Sequence, residues 1–87
     1  MKTQIFSEAI SNRNQIKFLY GFDEVLLEPY YIAKDKLGKK VLYGRVTNSS
    51  EIKKFKYSFI ANIKVFNNRR FSPRIQMMSW INKNDEV

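Results

Sequence analysis

The sequence predicts a mainly β domain: a small antiparallel five-stranded barrel with an N-terminal helix and a short C-terminal helix or extended tail. Three observations predict it. Apolar residues alternate in short runs from residue 16 onward. Turn residues separate those runs at spacings of ~10 residues. Ahead of them, residues 3–12 show helical spacing instead. A chain of 87 residues holds one domain, expected over residues 1–74 with a tail at 75–87. So short a chain buries only about 60% of its unfolded surface, so its core is small.

Thr3 to Asn12 reads as the helix. Ile5, Phe6, Ala9 and Ile10 fall on one side, Thr3 is the expected N-cap, and Glu8 lies early, where the helix dipole favours an anion. A helix of ~10 residues is marginal alone, so this face must dock on the strands. Ser11-Asn12-Arg13-Asn14 breaks the pattern.

Ile16, Phe18 and Tyr20 then alternate with Lys17 and Leu19 as a first strand, and Gly21-Phe22-Asp23-Glu24 is its turn. Val25 to Ala33 is a second strand. Pro29 interrupts it and cannot donate to a ladder, so it belongs at an edge or a bulge. Asp35 to Lys39 is a hairpin loop in which Gly38 supplies a positive φ. Val41 to Val46 is the third strand and Thr47 to Ser50 the next turn. In the fourth, Glu51 to Phe59, Phe55, Tyr57 and Phe59 face one way and Lys54, Lys56 and Ser58 the other, giving a core face and a wet cationic face. Ile60 to Phe66 is the fifth, with Ala61, Ile63 and Val65 in phase. Asn67 to Arg70 reads as a turn. Beyond Pro73, Ile75, Met78 and Ile81 fit helical spacing.

Composition excludes several chemistries. The chain has no cysteine and no histidine, so it has no disulfide, no Cys/His zinc site and no Ser–His–Asp or Cys–His nucleophile. Its three glycines are too few for a phosphate loop or a dinucleotide fingerprint. Asp23-Glu24 lies in a turn, Asp85-Glu86 lies in the tail, and only Glu28 stands inside a strand, so no carboxylate pair flanks a cleft. The expectation is a protein without catalytic activity, metal or cofactor. No apolar run approaches the ~18 residues of a membrane span, and no charged-then-apolar leader opens the chain. Asn48-Ser49-Ser50 fits the glycosylation pattern and has no use without such a leader. The expected location is the cytoplasm.

Charge is the strongest compositional signal. Sixteen Lys and Arg stand against eight Asp and Glu, a net +8, which suits an anionic ligand or polyanion, or serves solubility alone.

The order of segments resembles the WYL domain family over about residues 4 to 72. Ala9-Ile10 matches the family's opening helix, and Ile16-Lys17-Phe18-Leu19-Tyr20 its Ile-x-Phe-x-Tyr strand. Glu28-Pro29-Tyr30 follows in the second strand. Gly38 then precedes Lys40-Val41-Leu42-Tyr43-Gly44-Arg45, where the family has its Trp-Tyr-Leu stretch. Lys53-Lys54-Phe55-Lys56 stands at the family's Arg-x-Phe-Arg, Ser58-Phe59-Ile60 at its Asp-Arg-Ile turn, and Phe71 at its later Phe. The diagnostic Trp-Tyr is replaced by Lys40-Val41, two arginines by Lys53 and Lys56, and the turn arginine by Phe59. The resemblance implies an Sm-like barrel of the Src-homology-3 type. It also implies sensing of small ligands or nucleic acid, as in bacterial transcription regulators, here without the helix-turn-helix reader.

The candidate binding residues are Lys40, Tyr43, Arg45, Lys53, Lys54 and Lys56. Strands three and four are expected to be neighbours, so their same-face cations converge on phosphates, or else form only a solvated face. The resemblance puts Lys53 and Lys56 at the family's binding arginines; lysine keeps the charge and loses the bidentate fork. Strand alternation sets those two on opposite faces. Tyrosines beside lysines can stack bases, and Tyr30 or Tyr31, with Tyr43, are expected to face out; the other aromatics are needed as core. Arg69, Arg70 and Arg74 touch phosphates or sit in water, and Met77-Met78-Ser79-Trp80-Ile81 caps its own barrel or a second copy. The first functional reading is a non-enzymatic sensing or regulatory module that binds an anionic nucleotide or a short single strand through a basic face. The other is a protein-interaction or homo-oligomerisation module, a homodimer among its forms, with no nucleic-acid ligand.

Overall fold

The computed structural model describes residues 1–70, with side chains through residue 67; the residue 75–87 tail, Phe71 and Arg74 lie outside the described residues. The fold is mainly β. Helix α1 (Lys2–Asn12) leads into strands β1 (Asn14–Tyr20), β2 (Asp23–Lys34), β3 (Lys40–Val46) and β4 (Ile52–Lys56). A single 3-10 turn (Tyr57–Phe59) then leads into β5 (Ile60–Arg70). The strands form one antiparallel sheet in the order β4-β3-β2-β1-β5. No ladder joins β4 to β5 among the described residues, so the hydrogen-bonded sheet is open rather than closed into the expected barrel. It is nonetheless curled: Phe18 and Tyr20 of β1 pack edge-on against Phe55 of β4, with ring centroids 5.3 and 4.9 Å apart.

The core follows from period-two patterning. Asn14, Ile16 and Phe18 are buried on β1 while their neighbours are half-exposed. Ile16, Phe18, Leu27, Leu42, Phe55 and Ile60 form the apolar cluster, and α1 completes it with Phe6 and Ala9. The helix ends where Arg13 turns left-handed at φ 57° and its N–H returns to the carbonyls of Ala9 and Ile10, which stops the ladder. Its start differs from the expectation. Met1 occupies the cap position with no side-chain hydrogen bond, and Thr3 lies inside the first turn. The Thr3 hydroxyl accepts a hydrogen bond from the Lys40 ammonium at 3.0 Å instead of capping the helix.

The turns follow their glycines. Gly21 and Gly38 adopt φ of 65° and 79°, conformations open to glycine at little cost. The first turn is tighter than expected, because Asp23 and Glu24 already belong to β2. Pro29 lies in a central strand at a bulge, where the β2–β3 register slips between Pro29 and Tyr31. Only Asp23 to Leu27 of β2 pair with β1, so the missing Pro29 N–H breaks no pairing there.

Three expectations in the second half are overturned. β4 ends at Lys56, and the Tyr57–Phe59 turn breaks the alternation: Phe55 is buried, Tyr57 half-buried and Phe59 56% exposed. The chain turns there because β5 lies at the far edge of the sheet and must be reached by a corner. Asn67 to Arg70 continues β5 rather than turning, with Asn14 opposite Arg70. Asn62, at φ 53°, sits in a bulge opposite Phe18. The extra residue shifts the phase, so Ile60, Ile63 and Val65 meet the core while Ala61 is exposed.

Candidate functional site

Register decides which candidate residues share a face. Across β3 and β4, Val41 stands opposite Lys56, Leu42 opposite Phe55, Tyr43 opposite Lys54, Gly44 opposite Lys53, and Arg45 opposite Ile52. Leu42 and Phe55 are core, so Lys40 and Lys53 lie on the core-side face at its open margins. Tyr43, Arg45, Lys54 and Lys56 lie on the outer face. The six candidates are therefore divided between two faces, and Lys53 and Lys56 do not share one.

Arg45 is committed within the fold. Its Nε and Nη2 donate to the two carboxylate oxygens of Glu28 at 3.1 and 2.8 Å, and its Nη1 donates to the Ser49 carbonyl at 2.6 Å. The Tyr30 hydroxyl donates to Glu28 Oε1 at 2.8 Å. Burial and the neighbouring Glu28 push the Tyr30 phenol up from its ordinary value, and the bond to Glu28 raises the Arg45 value. This triad ties the bulged segment of β2 to the β3–β4 turn. Glu28 is buried in mid-strand, unlike the exposed Asp23 and Glu24 at the start of β2, and only the register brings Arg45 opposite it.

Lys54 and Lys56 are exposed and join no ion pair among the described residues. The Lys56 backbone N–H donates to the Tyr20 hydroxyl at 3.1 Å, which locks the end of β4 onto β1. Tyr43 is half-buried on the same outer face, its ring tilted against that of Tyr31 at 6.3 Å. Tyr30 is buried, so of the tyrosines expected outside, Tyr31 and Tyr43 are the ones with partial exposure. Among the described residues the most exposed aromatic is Phe22, at 105%, in the β1–β2 turn. Gly21 beside it donates to the Phe59 carbonyl at 3.3 Å, so two exposed phenylalanines occupy one end of the fold. Alternation alone does not reveal them; the signal was Phe22 inside a glycine turn.

Among the described residues no group of His, Cys, Asp or Glu side chains is placed to hold a metal ion, and no helix is long and apolar enough to cross a membrane. No protein-family model, curated protein or solved structure matches this chain.

Proposed function

We propose that this chain is a non-enzymatic, WYL-like binding module that holds an anionic nucleotide or short single strand on the outer face of β3 and β4. The observation that carries the reading is the juxtaposition of Lys54 with Tyr43, two residues from Lys56, on a face where the Glu28 carboxylate is already bonded to Arg45. Cations that track a phosphate backbone beside an aromatic surface are the two elements single strands require. Arg45 supports the face rather than contacting the ligand. A barrel of the Sm or Src-homology-3 type is part of this proposal: the curl that sets Phe55 against Phe18 and Tyr20 supports it.

Fluorescence anisotropy with labelled single-stranded DNA and RNA, at low and at physiological salt, tests the reading. Binding that persists at physiological salt and is lost in Lys54→Glu and Lys56→Glu supports it. Binding at low salt alone is nonspecific attraction and removes it. The second reading, a protein-interaction or dimerisation module, is favoured by the exposed Phe22 and Phe59. It predicts self-association in light scattering that Phe22→Ser abolishes, with indifference to nucleic acid.

A further inference from the structure

An open groove of about 630 Å³ lies between the start of α1 and the start of β3, on the core-side margin of β3. Met1, Lys2, Thr3, Ile5, Lys40 and Tyr57 line it. Two of these residues are lysines, and both ammonium groups are held by neutral oxygens. Lys2 Nζ donates to the Tyr57 carbonyl at 2.6 Å, and Lys40 Nζ donates to the Thr3 hydroxyl at 3.0 Å. Neither meets a carboxylate among the described residues. Each ammonium has three N–H donors, so these contacts fix its place and leave donors unused. The surrounding charge is predominantly positive. The adjoining hairpin adds Lys34, Lys36 and Lys39, and Lys56 lies close enough to depress the Asp35 carboxyl. Asp35 is the single carboxylate of that hairpin, and its Oδ1 already accepts from the Leu37 and Lys39 N–H groups. No acidic residue stands in the first turn of α1.

The groove is otherwise apolar. Ile5 forms part of the wall, and the Tyr57 ring packs edge-on against Phe6 at 5.2 Å. The Tyr57 hydroxyl is buried beside Thr3 without reaching hydrogen-bonding geometry. Two positioned cations above an apolar wall suit a compact dianion on an apolar body. A carboxylate or a phosphodiester brings one negative charge; a phosphate monoester brings close to two at neutral pH and three acceptor oxygens.

We infer that the Lys2–Lys40 groove is a binding site for a phosphate monoester carried on an apolar or aromatic body, separate from the outer strand face. Its phosphate sits between the two ammonium groups, and its body lies along Ile5 and Tyr57. Strand binding on the outer face neither requires this site nor is required by it.

The test is a backbone-amide NMR titration with phenyl phosphate, with phenol and inorganic phosphate as controls. Saturable shifts centred on Lys2, Thr3, Lys40 and Tyr57 are expected, with phenol giving none and inorganic phosphate binding more weakly. Lys2→Gln and Lys40→Gln should each weaken binding at least about tenfold, the loss of one charge-assisted hydrogen bond. Lys54→Gln should leave it unchanged. Lys40→Met, which keeps the apolar stem, repeats the test should Lys40→Gln unfold, and well-dispersed spectra verify folding. Affinity should fall on acidification through about pH 6, where the monoester takes up its second proton. A 5′-phosphorylated dinucleotide that competes identifies a strand end as the source, and failure to compete identifies a free small molecule; both support the groove. Shifts spread over all lysines, or undiminished in both groove variants, overturn it.

Discussion

The Arg45 guanidinium and the Glu28 carboxylate face each other across the β2–β3 ladder in a two-point contact, Nε to Oε1 at 3.1 Å and Nη2 to Oε2 at 2.8 Å. Both side chains are largely removed from water, at 18% and 8% exposure, so neither charge can be left alone at small cost.

Arg45→Met should therefore lower stability by about 3 kcal/mol, the cost typical of stranding one charge of a buried pair. The double variant Glu28→Gln/Arg45→Met should recover part of that loss, since no charge is then stranded. Urea midpoints of the two variants decide it. A change below about 0.5 kcal/mol in Arg45→Met would place this contact with ordinary surface pairs.

Gly44→Ala should be disruptive although alanine is otherwise well tolerated in many strands. A Cβ at Gly44 would lie 2.5 Å from the Glu28 carbonyl oxygen and 2.8 Å from Leu27 Cγ and Cδ2. The oxygen is backbone of the bulged strand and cannot swing aside. The expected loss is about 3 kcal/mol, the upper end for overpacking, with a lower thermal midpoint.

Acid should loosen the β2–β3 hairpin through Asp35. The backbone N–H of Lys39, then that of Leu37, hold its carboxylate below the ordinary value, while partial desolvation opposes them. A depressed folded value means that its stabilisation is complete above the unfolded pKa of about 3.9 and fades as pH falls through the folded value. Asp35→Asn should flatten that part of the acid limb in urea midpoints taken downward from about pH 5. An unchanged acid limb would show that the loop bonds do not couple to folding.

Alkali should act through Tyr57. Burial raises its phenol, an effect the neighbouring Thr3 hydroxyl partly opposes, and the Tyr57 hydroxyl meets no partner at hydrogen-bond geometry. A raised folded value means that the stabilisation is complete below the unfolded pKa of about 10 and is lost as pH rises beyond it. Tyr57→Phe removes an unsatisfied buried group. It should be neutral or stabilising by up to about 1 kcal/mol near neutral pH, with a shallower alkaline limb. A clear destabilisation would show that the hydroxyl has a partner in solution.

Much of the local structure is legible in the residues. The helix over α1, the β1 alternation of Ile16 and Phe18, the Gly21 and Gly38 turns and the bulge at Pro29 all follow from periods and φ preferences within a few residues. The errors share one cause. The Phe55-Tyr57-Phe59 alternation is as regular as that of β1, yet the chain must turn at Tyr57 to carry β5 to the opposite edge of the sheet. Asn67 to Arg70 carries turn residues and extends a strand instead, with Asn14 opposite Arg70 as its last pairing.

The candidate site divides in the same way. Sequence alone determined that the chain is basic, has no imidazole or thiol and carries lysines on alternating positions of one strand, because composition and a period of two are local properties. Tertiary structure decided that Arg45 belongs to Glu28, that Lys54 and Lys56 share an outer face, and that Lys40 joins Lys2 and Thr3 at a groove on the other. Those pairings span 17 residues for Arg45–Glu28 and 37 for Lys40–Thr3. Register, bulges and the docking of α1 set them, and none of these is encoded in the neighbours of any single residue.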